Sequence, residues 1–209
     1  MKVVGLLIAD PKGPDPRASV HGAPLLWHAV HGLLEAADRL VTAVPQPLCG
    51  DCEHIVRSVP SAGSRCRVLA CGPDRAGDLR RAVEAATPAD VVLVHDVARP
   101  FVPRATVRAV AEAVFAGAEA IVPVLPVTDT IKLVSGDVIT GTTDRDRLQV
   151  VQTPVGYRPD VLEKLCAHGA DPLSDLPGTV RTVAGHPTAL RLTTAFDTAV
   201  AESLLEEQG

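Results

Sequence analysis

The chain has 209 residues, 46% of them apolar, and a net charge of −5. That length suits one domain spanning 1–209 around one core, and nothing in the charge argues for a surface built for nucleic acid or an anionic membrane. Aromatic residues make up only 2%, so the core is expected to be aliphatic; no apolar run reaches the ~18 residues of a membrane span and no charged-then-apolar leader is visible, which makes the cytoplasm the expected compartment.

Val3 to Ala9 is a continuous apolar run, the pattern of a strand covered on both faces. A Pro-rich loop, Asp10 to Pro16, follows, and Leu25 to Asp38 carries Leu26, Val30, Leu33 and Leu34 at helical spacing. Leu40 to Val44 predicts a second strand, Cys52 to Val59 a weak helix, Arg67 to Ala70 a third strand and Asp74 to Ala86 a helix. Val91 to Val94 predicts a buried strand ending at His95-Asp96, Arg104 to Ala116 a helix, and Ala120 to Val124 a fifth strand. This alternation predicts an α/β fold with a doubly wound, mainly parallel sheet.

After Pro126 the rhythm changes. Ile131 to Val134 and Val138 to Thr140 flank Ser135-Gly136-Asp137, a hairpin signal with glycine in the turn. Residues 131–149 are expected to form a β-arm that leaves the domain and packs on a second copy, because an isolated hairpin is marginal in water. Val150-Val151 returns to the sheet, Pro159 to Ala167 predicts a helix, Arg181 to Val183 and Ala189 to Leu192 predict strands, and Phe196 to Glu206 an amphipathic helix.

Cys49 and Cys52, with Cys66 and Cys71, superficially resemble a zinc set. A strand over 67–70 would hold Cys66 and Cys71 roughly 16 Å apart, too far for one tetrahedral ion. Scattered thiols are the reading, with a redox pair at Cys49/Cys52 the alternative.

Ligands of open α/β sheets bind beyond the carboxyl ends of the strands, so the residues there carry the functional information. They are Asp10 to Arg17, Gly72 to Arg75, His95 to Pro100 and Pro126 to Lys132. An acid and an arginine at a strand end, Asp96 and Arg99, suit a magnesium-bound phosphate: the carboxylate holds the metal and the guanidinium grips phosphate oxygens. A structural ion pair is the plain alternative.

V-L-V-H-D-V-A-R-P (92–100), V-T-D-T-I-K (127–132), D-R-x-x-L (144–148) and Q-T-P-x-x-Y (152–157) occur in that order. Together they resemble the bacterial 2-C-methyl-D-erythritol 4-phosphate cytidylyltransferases of the non-mevalonate isoprenoid pathway, closely from Gly72 to Tyr157. The resemblance implies transfer of CMP from CTP to the polyol phosphate with release of pyrophosphate, magnesium as cofactor, and a homodimer. It implies Asp96 at the metal, with Arg17 and Arg191 as the catalytic basic residues. Nucleotide contacts would come from Ala9, Lys12, Gly72, Arg75, Asp78 and Val97, and acceptor-phosphate contacts from Arg99, Thr130, Arg145, Thr153 and Ser174.

The chain departs from the family pattern at its opening A-A-G-x-G-x-R loop. Here the stretch is Ile8-Ala9-Asp10-Pro11-Lys12-Gly13-Pro14-Asp15-Pro16-Arg17. Pro11, Pro14 and Pro16 remove amide donors, and Asp10 and Asp15 add negative charge where a triphosphate would lie. Pro16-Arg17 reads as the family's P-K, and Arg191 stands where the family has lysine. These exchanges fit either drift in an Arg-rich chain or altered phosphate handling. Impaired turnover is therefore expected. A non-catalytic dimeric paralogue, or a nucleotidyltransferase for another phosphorylated sugar, are the alternatives.

Overall fold

All six residues of β1 (Val3–Ile8) are buried. Val3 and Leu7 point into one apolar cluster while Val4, Leu6 and Ile8 point into another, so the strand lies at the centre of a sheet covered on both faces. A computed structural model describes residues 1–206 and defines that sheet. Its order is β10-β7-β11-β6-β1-β4-β5, with β12 also pairing β7. β4 (Arg39–Pro45), β5 (Cys66–Cys71) and β6 (Val91–Asp96) join β1 in parallel. β7 (Ala120–Pro126) and β6 both pair antiparallel with β11 (Val155–Tyr157), while β10 (Gln149–Val151) lies antiparallel and β12 (Arg181–Ala184) parallel to β7. The doubly wound, mainly parallel α/β fold is thus observed.

Helices α1 (Leu25–Leu34), α2 (Cys49–Ser58) and α4 (Arg104–Phe115) contribute apolar residues to one cluster, and α3 (Arg75–Ala86) and α5 (Pro159–Ala167) to the other. Gly5 makes the close packing of β1 possible. A Cβ there would lie 2.4 Å from Leu40 Cδ2 and 2.6 Å from Leu33 Cδ2, too near for any side chain. The pair β2 (Ser19–Val20) and β3 (Ala23–Pro24) closes the stretch before α1.

Several sequence-based expectations need correction. Ala189–Leu192 forms no ladder. The segment is held instead by the Leu192 amide on the Ala98 carbonyl and by Arg99 on the Ala189 carbonyl. The first helix stops at Leu34 rather than Asp38, whereas β6 ends at His95-Asp96 as expected. The last helix, α6 (Ala195–Glu206), buries only Ala201 among its described side chains and leaves Phe196 exposed, so it is barely amphipathic. β11 was missed because a three-residue strand after Thr153-Pro154 carries too little periodicity.

The arm is present as β8 (Lys132–Ser135) and β9 (Val138–Thr142), paired only with each other. Gly136 takes the turn at φ +61°, a conformation that glycine adopts without strain. Among the described residues no helix is long and apolar enough to cross a membrane. Cys49 and Cys52 are unbonded thiols on α2, and burial pushes Cys52 up to about 11, which opposes a redox role.

Candidate active site

Parallel pairing places Ile8 beside Asp96, so the ends of β1 and β6 open on the same side of the sheet. A cavity of about 300 Å³ lies there, lined by Asp10, Arg75, Asp96, Arg99, Val151, Thr153, Asp171, Leu173, Ser174 and Arg191. Six predicted site residues therefore meet in one cleft: Arg75, Asp96, Arg99, Thr153, Ser174 and Arg191.

Asp96 is buried at the end of β6. Its Oδ1 accepts the Ala98 amide at 2.9 Å, and its Oδ2 accepts Arg191 Nε at 2.7 Å. Arg191 lines the cleft held at Nε, and among the described residues its two Nη groups make no hydrogen bond. Arg99 donates through Nη1 to the Ala189 carbonyl at 2.7 Å and through Nη2 to the Val151 carbonyl at 3.1 Å. Burial lowers its pKa, with the charge of Asp96 opposing that shift. Two carbonyls are partial compensation for a desolvated guanidinium, which favours a full anion beside it.

Thr153 is buried between β6 and the cleft, its hydroxyl 2.8 Å from His95 Nδ1 and 3.3 Å from the Asp96 amide. Ser174 sits exposed on the rim, its amide donating to the Asp171 carbonyl at 3.1 Å. Asp171 also takes Arg75, at 3.1 Å from Nε and 2.5 Å from Nη2. Burial works against the Arg75 charge, but the hydrogen bond and charge of Asp171 outweigh it and raise the pKa.

A small recess shares Arg75 with the main cleft and is bordered by Ala9, Pro11, Gly72 and Asp78. Two of its amides are already engaged: Ala9 donates to the Ala43 carbonyl at 2.9 Å, and Gly72 to Asp78 Oδ2 at 2.6 Å. Asp78 is also paired with Arg81.

Other predicted residues stand elsewhere. Arg17 does not line the cleft; Asp15 grips it through Nε and Nη2, and Asp51 takes Nη1 at 2.7 Å. Those carboxylates raise its pKa. Lys12 is exposed and outside the cleft. Val97 is buried in the core with its amide on the Ile8 carbonyl, so it does not border the cleft. Thr130 and Arg145 are exposed near the arm, and Arg145 donates to the Thr128 carbonyl; one chain does not bring them to the site.

The loop after β1 is bonded to itself. The Lys12 and Gly13 amides donate to Asp10, and those of Arg17 and Ala18 to Asp15. These aspartates take up those four amides, as Asx turns do. Sequence reasoning missed Asp171, whose partner lies 96 residues away, and gave His95 no role although it directly precedes Asp96.

Among the described residues no three His, Cys, Asp or Glu side chains form a metal cage. Magnesium does not need one, since it binds through one or two carboxylates plus waters and substrate phosphates. Asp96 fits that mode: each carboxylate oxygen has one protein donor and so retains acceptor capacity.

Comparison with known proteins identifies the family. The profile of the family described as IspD, 2-C-methyl-D-erythritol 4-phosphate cytidylyltransferase, matches residues 13–207. A relative of that name from Saccharopolyspora erythraea is 42% identical, covering 98% of this chain and 100% of its own. One from Rhodococcus jostii is 37% identical over 93% of this chain and 88% of its own. The crystal structure of the 2-C-methyl-D-erythritol 4-phosphate cytidylyltransferase of Thermus thermophilus superposes with a TM-score of 0.75 at 31% identity, covering 96% of this chain and 98% of that one. The 4-diphosphocytidyl-2C-methyl-D-erythritol synthase of Anaerococcus prevotii, at 18% identity and a TM-score of 0.81 over 98% of this chain and 96% of that one, bears on the fold alone. The chain belongs to the 2-C-methyl-D-erythritol 4-phosphate cytidylyltransferase family.

Proposed function

We propose that the chain transfers CMP from CTP to 2-C-methyl-D-erythritol 4-phosphate and releases pyrophosphate. The observation that carries this reading is the convergence of Asp96, Arg99, Thr153 and Arg191 on one cleft at the ends of β1 and β6, in a chain of this family. A phosphate oxygen of the acceptor attacks the α-phosphorus of CTP as the bond to pyrophosphate breaks. The nucleophile is already anionic, so the protein supplies position and charge neutralisation rather than a covalent intermediate. Arg99 holds the acceptor phosphate. Arg191, fixed by Asp96, offers its Nη groups to the α-phosphate, where negative charge develops in the transition state. The recess beside Arg75 and Gly72 receives the base and ribose. Magnesium, when bound, would be held by Asp96 and supply further neutralisation of the triphosphate.

Turnover is expected to be slow. Most nucleotide-side donors are taken up by an aspartate: the Lys12 and Gly13 amides by Asp10, Gly72 by Asp78, Arg75 by Asp171 and Arg17 by Asp15 and Asp51. CTP must displace these contacts or do without them. The same observation supports a second reading, a binding module that does not turn over. The working state is a homodimer whose arm carries Thr130 and Arg145 toward a second copy, a reading supported by the exposed apolar side chains of that arm. Pyrophosphate release from CTP, with and without the acceptor and magnesium, separates turnover from binding alone.

A further inference from the structure

His95 closes β6 one residue before Asp96 and is completely buried, yet none of the steps above uses it. Both ring nitrogens are engaged. Nε2 lies 3.0 Å from the Arg99 carbonyl oxygen and Nδ1 lies 2.8 Å from the Thr153 hydroxyl. A carbonyl oxygen only accepts, so Nε2 carries a proton. Of the two partners of the Thr153 hydroxyl, the Asp96 amide only donates, so the hydroxyl proton has Nδ1 as its acceptor. Nδ1 is then the acceptor, and Thr153 donates to it. The same hydroxyl oxygen accepts the Asp96 amide at 3.3 Å.

This direction of the hydrogen bonds changes what Thr153 can do. Thr153 lines the cleft, but its hydroxyl proton is committed to His95. Turning that proton toward a phosphate would strand Nδ1, buried and unpaired, which is unfavourable.

We propose that His95 is the positioning residue of this site: its ring fixes the Arg99 carbonyl directly and the Asp96 amide through the Thr153 hydroxyl, and so sets the spacing between the metal-holding carboxylate and the acceptor-binding guanidinium. The proposal rests on the reading that Asp96 and Arg99 serve magnesium and the acceptor phosphate. Thr153 then acts as a link in this chain and does not donate to substrate.

Two variants separate the arms of the ring. In His95→Gln an amide nitrogen reaches the place of Nε2 and still donates to Arg99, while the Thr153 acceptor is lost. In His95→Asn an amide oxygen takes the place of Nδ1 and the Arg99 link is lost. His95→Gln is expected to raise the magnesium concentration for half-maximal turnover about tenfold, and His95→Asn to raise KM for the acceptor about tenfold, as loss of one hydrogen bond implies. KM for CTP stays put in both. Thr153→Val should reproduce the His95→Gln effect, and the double variant should be no worse than either alone, because both cut one chain. Thr153→Val that raises acceptor KM and multiplies with His95→Gln would overturn the proposal, as would variants that shift all three constants alike.

Selective ¹⁵N-histidine NMR of the unmodified protein reads the same claim without turnover or substitution. A bare Nδ1 and a protonated Nε2 at His95 near neutral pH uphold it, and the opposite tautomer overturns it. Absence of pyrophosphate release from the wild type would count against the functional reading and leave this measurement standing.

Discussion

Arg191 reaches the cleft because Asp96 accepts its Nε, at 2.7 Å. Lysine at this position would keep the charge but lose the planar fork and one of its two duties. Arg191→Ala is expected to lower kcat by about 10²–10³, the cost of removing one donor to a charged transition state. Arg191→Lys should retain part of the activity while loosening Asp96. Equal turnover in Arg191→Ala and wild type would remove this residue from the mechanism. Asp171 poses the opposite case, since it occupies the arginine that faces the nucleotide recess. The pair is partly exposed, so its strength is modest, about 0.2–1 kcal/mol. Asp171→Ala is expected to lower the apparent KM for CTP by about two- to fivefold. A rise in that KM would mean that Asp171 positions Arg75 for binding rather than competing for it.

At the scale of elements, the segment bearing Arg191 is anchored by the start of α6. Asp197 Oδ2 accepts the Thr193 and Thr194 amides and the Thr193 hydroxyl, while the Asp197 amide donates to Thr194 Oγ1. This is a capping box with aspartate as the acid. Those bonds, led by the Thr193 amide, hold the Asp197 carboxyl at about 2, below its ordinary 3.8. A depressed carboxylate stabilises the fold fully above its unfolded value and loses that contribution as pH falls through the folded one. The start of α6 should therefore fray as pH drops from about 4 toward about 2. Amide exchange at Thr193 and Thr194 checks this, and Asp197→Asn should remove the pH dependence; exchange rates unchanged by acid would refute the cap. The loop after β1 shows a different side of the same chemistry. Pro11, Pro14 and Pro16 were legible as lost donors, and the structure adds that Asp10 and Asp15 take up the amides of Lys12, Gly13, Arg17 and Ala18.

At the scale of the whole molecule, the core strands were legible because both-face burial leaves unbroken apolar runs such as Val3 to Ile8 and Val91 to Val94. The cleft was legible where motif and strand end coincide, at Asp96 and Arg99. It was not legible where a contact spans distant sequence, as between Arg75 and Asp171. Nor does periodicity reveal that Ala189–Leu192 joins no ladder, because loop and side-chain contacts hold it. The arm leaves Leu133, Val134, Val138 and Ile139 at 55, 66, 59 and 63% exposure, a surface that a stable chain normally covers. Light scattering at micromolar concentration should give a dimer, and replacing residues 131–142 by a short Gly-Ser link should give a monomer. A wild-type monomer would contradict the expected assembly.

The central claim is that this cleft performs magnesium-dependent cytidylyl transfer, held back by the self-bonded loop. The most direct test is pyrophosphate release from CTP, with and without 2-C-methyl-D-erythritol 4-phosphate, by the unmodified protein and by a variant carrying an A-A-G-x-G-x-R loop. The predicted result is slow, acceptor-dependent release that needs magnesium and rises by at least about 10² in the grafted variant. No release from either protein, or ordinary turnover in the unmodified chain with no gain on grafting, would contradict it.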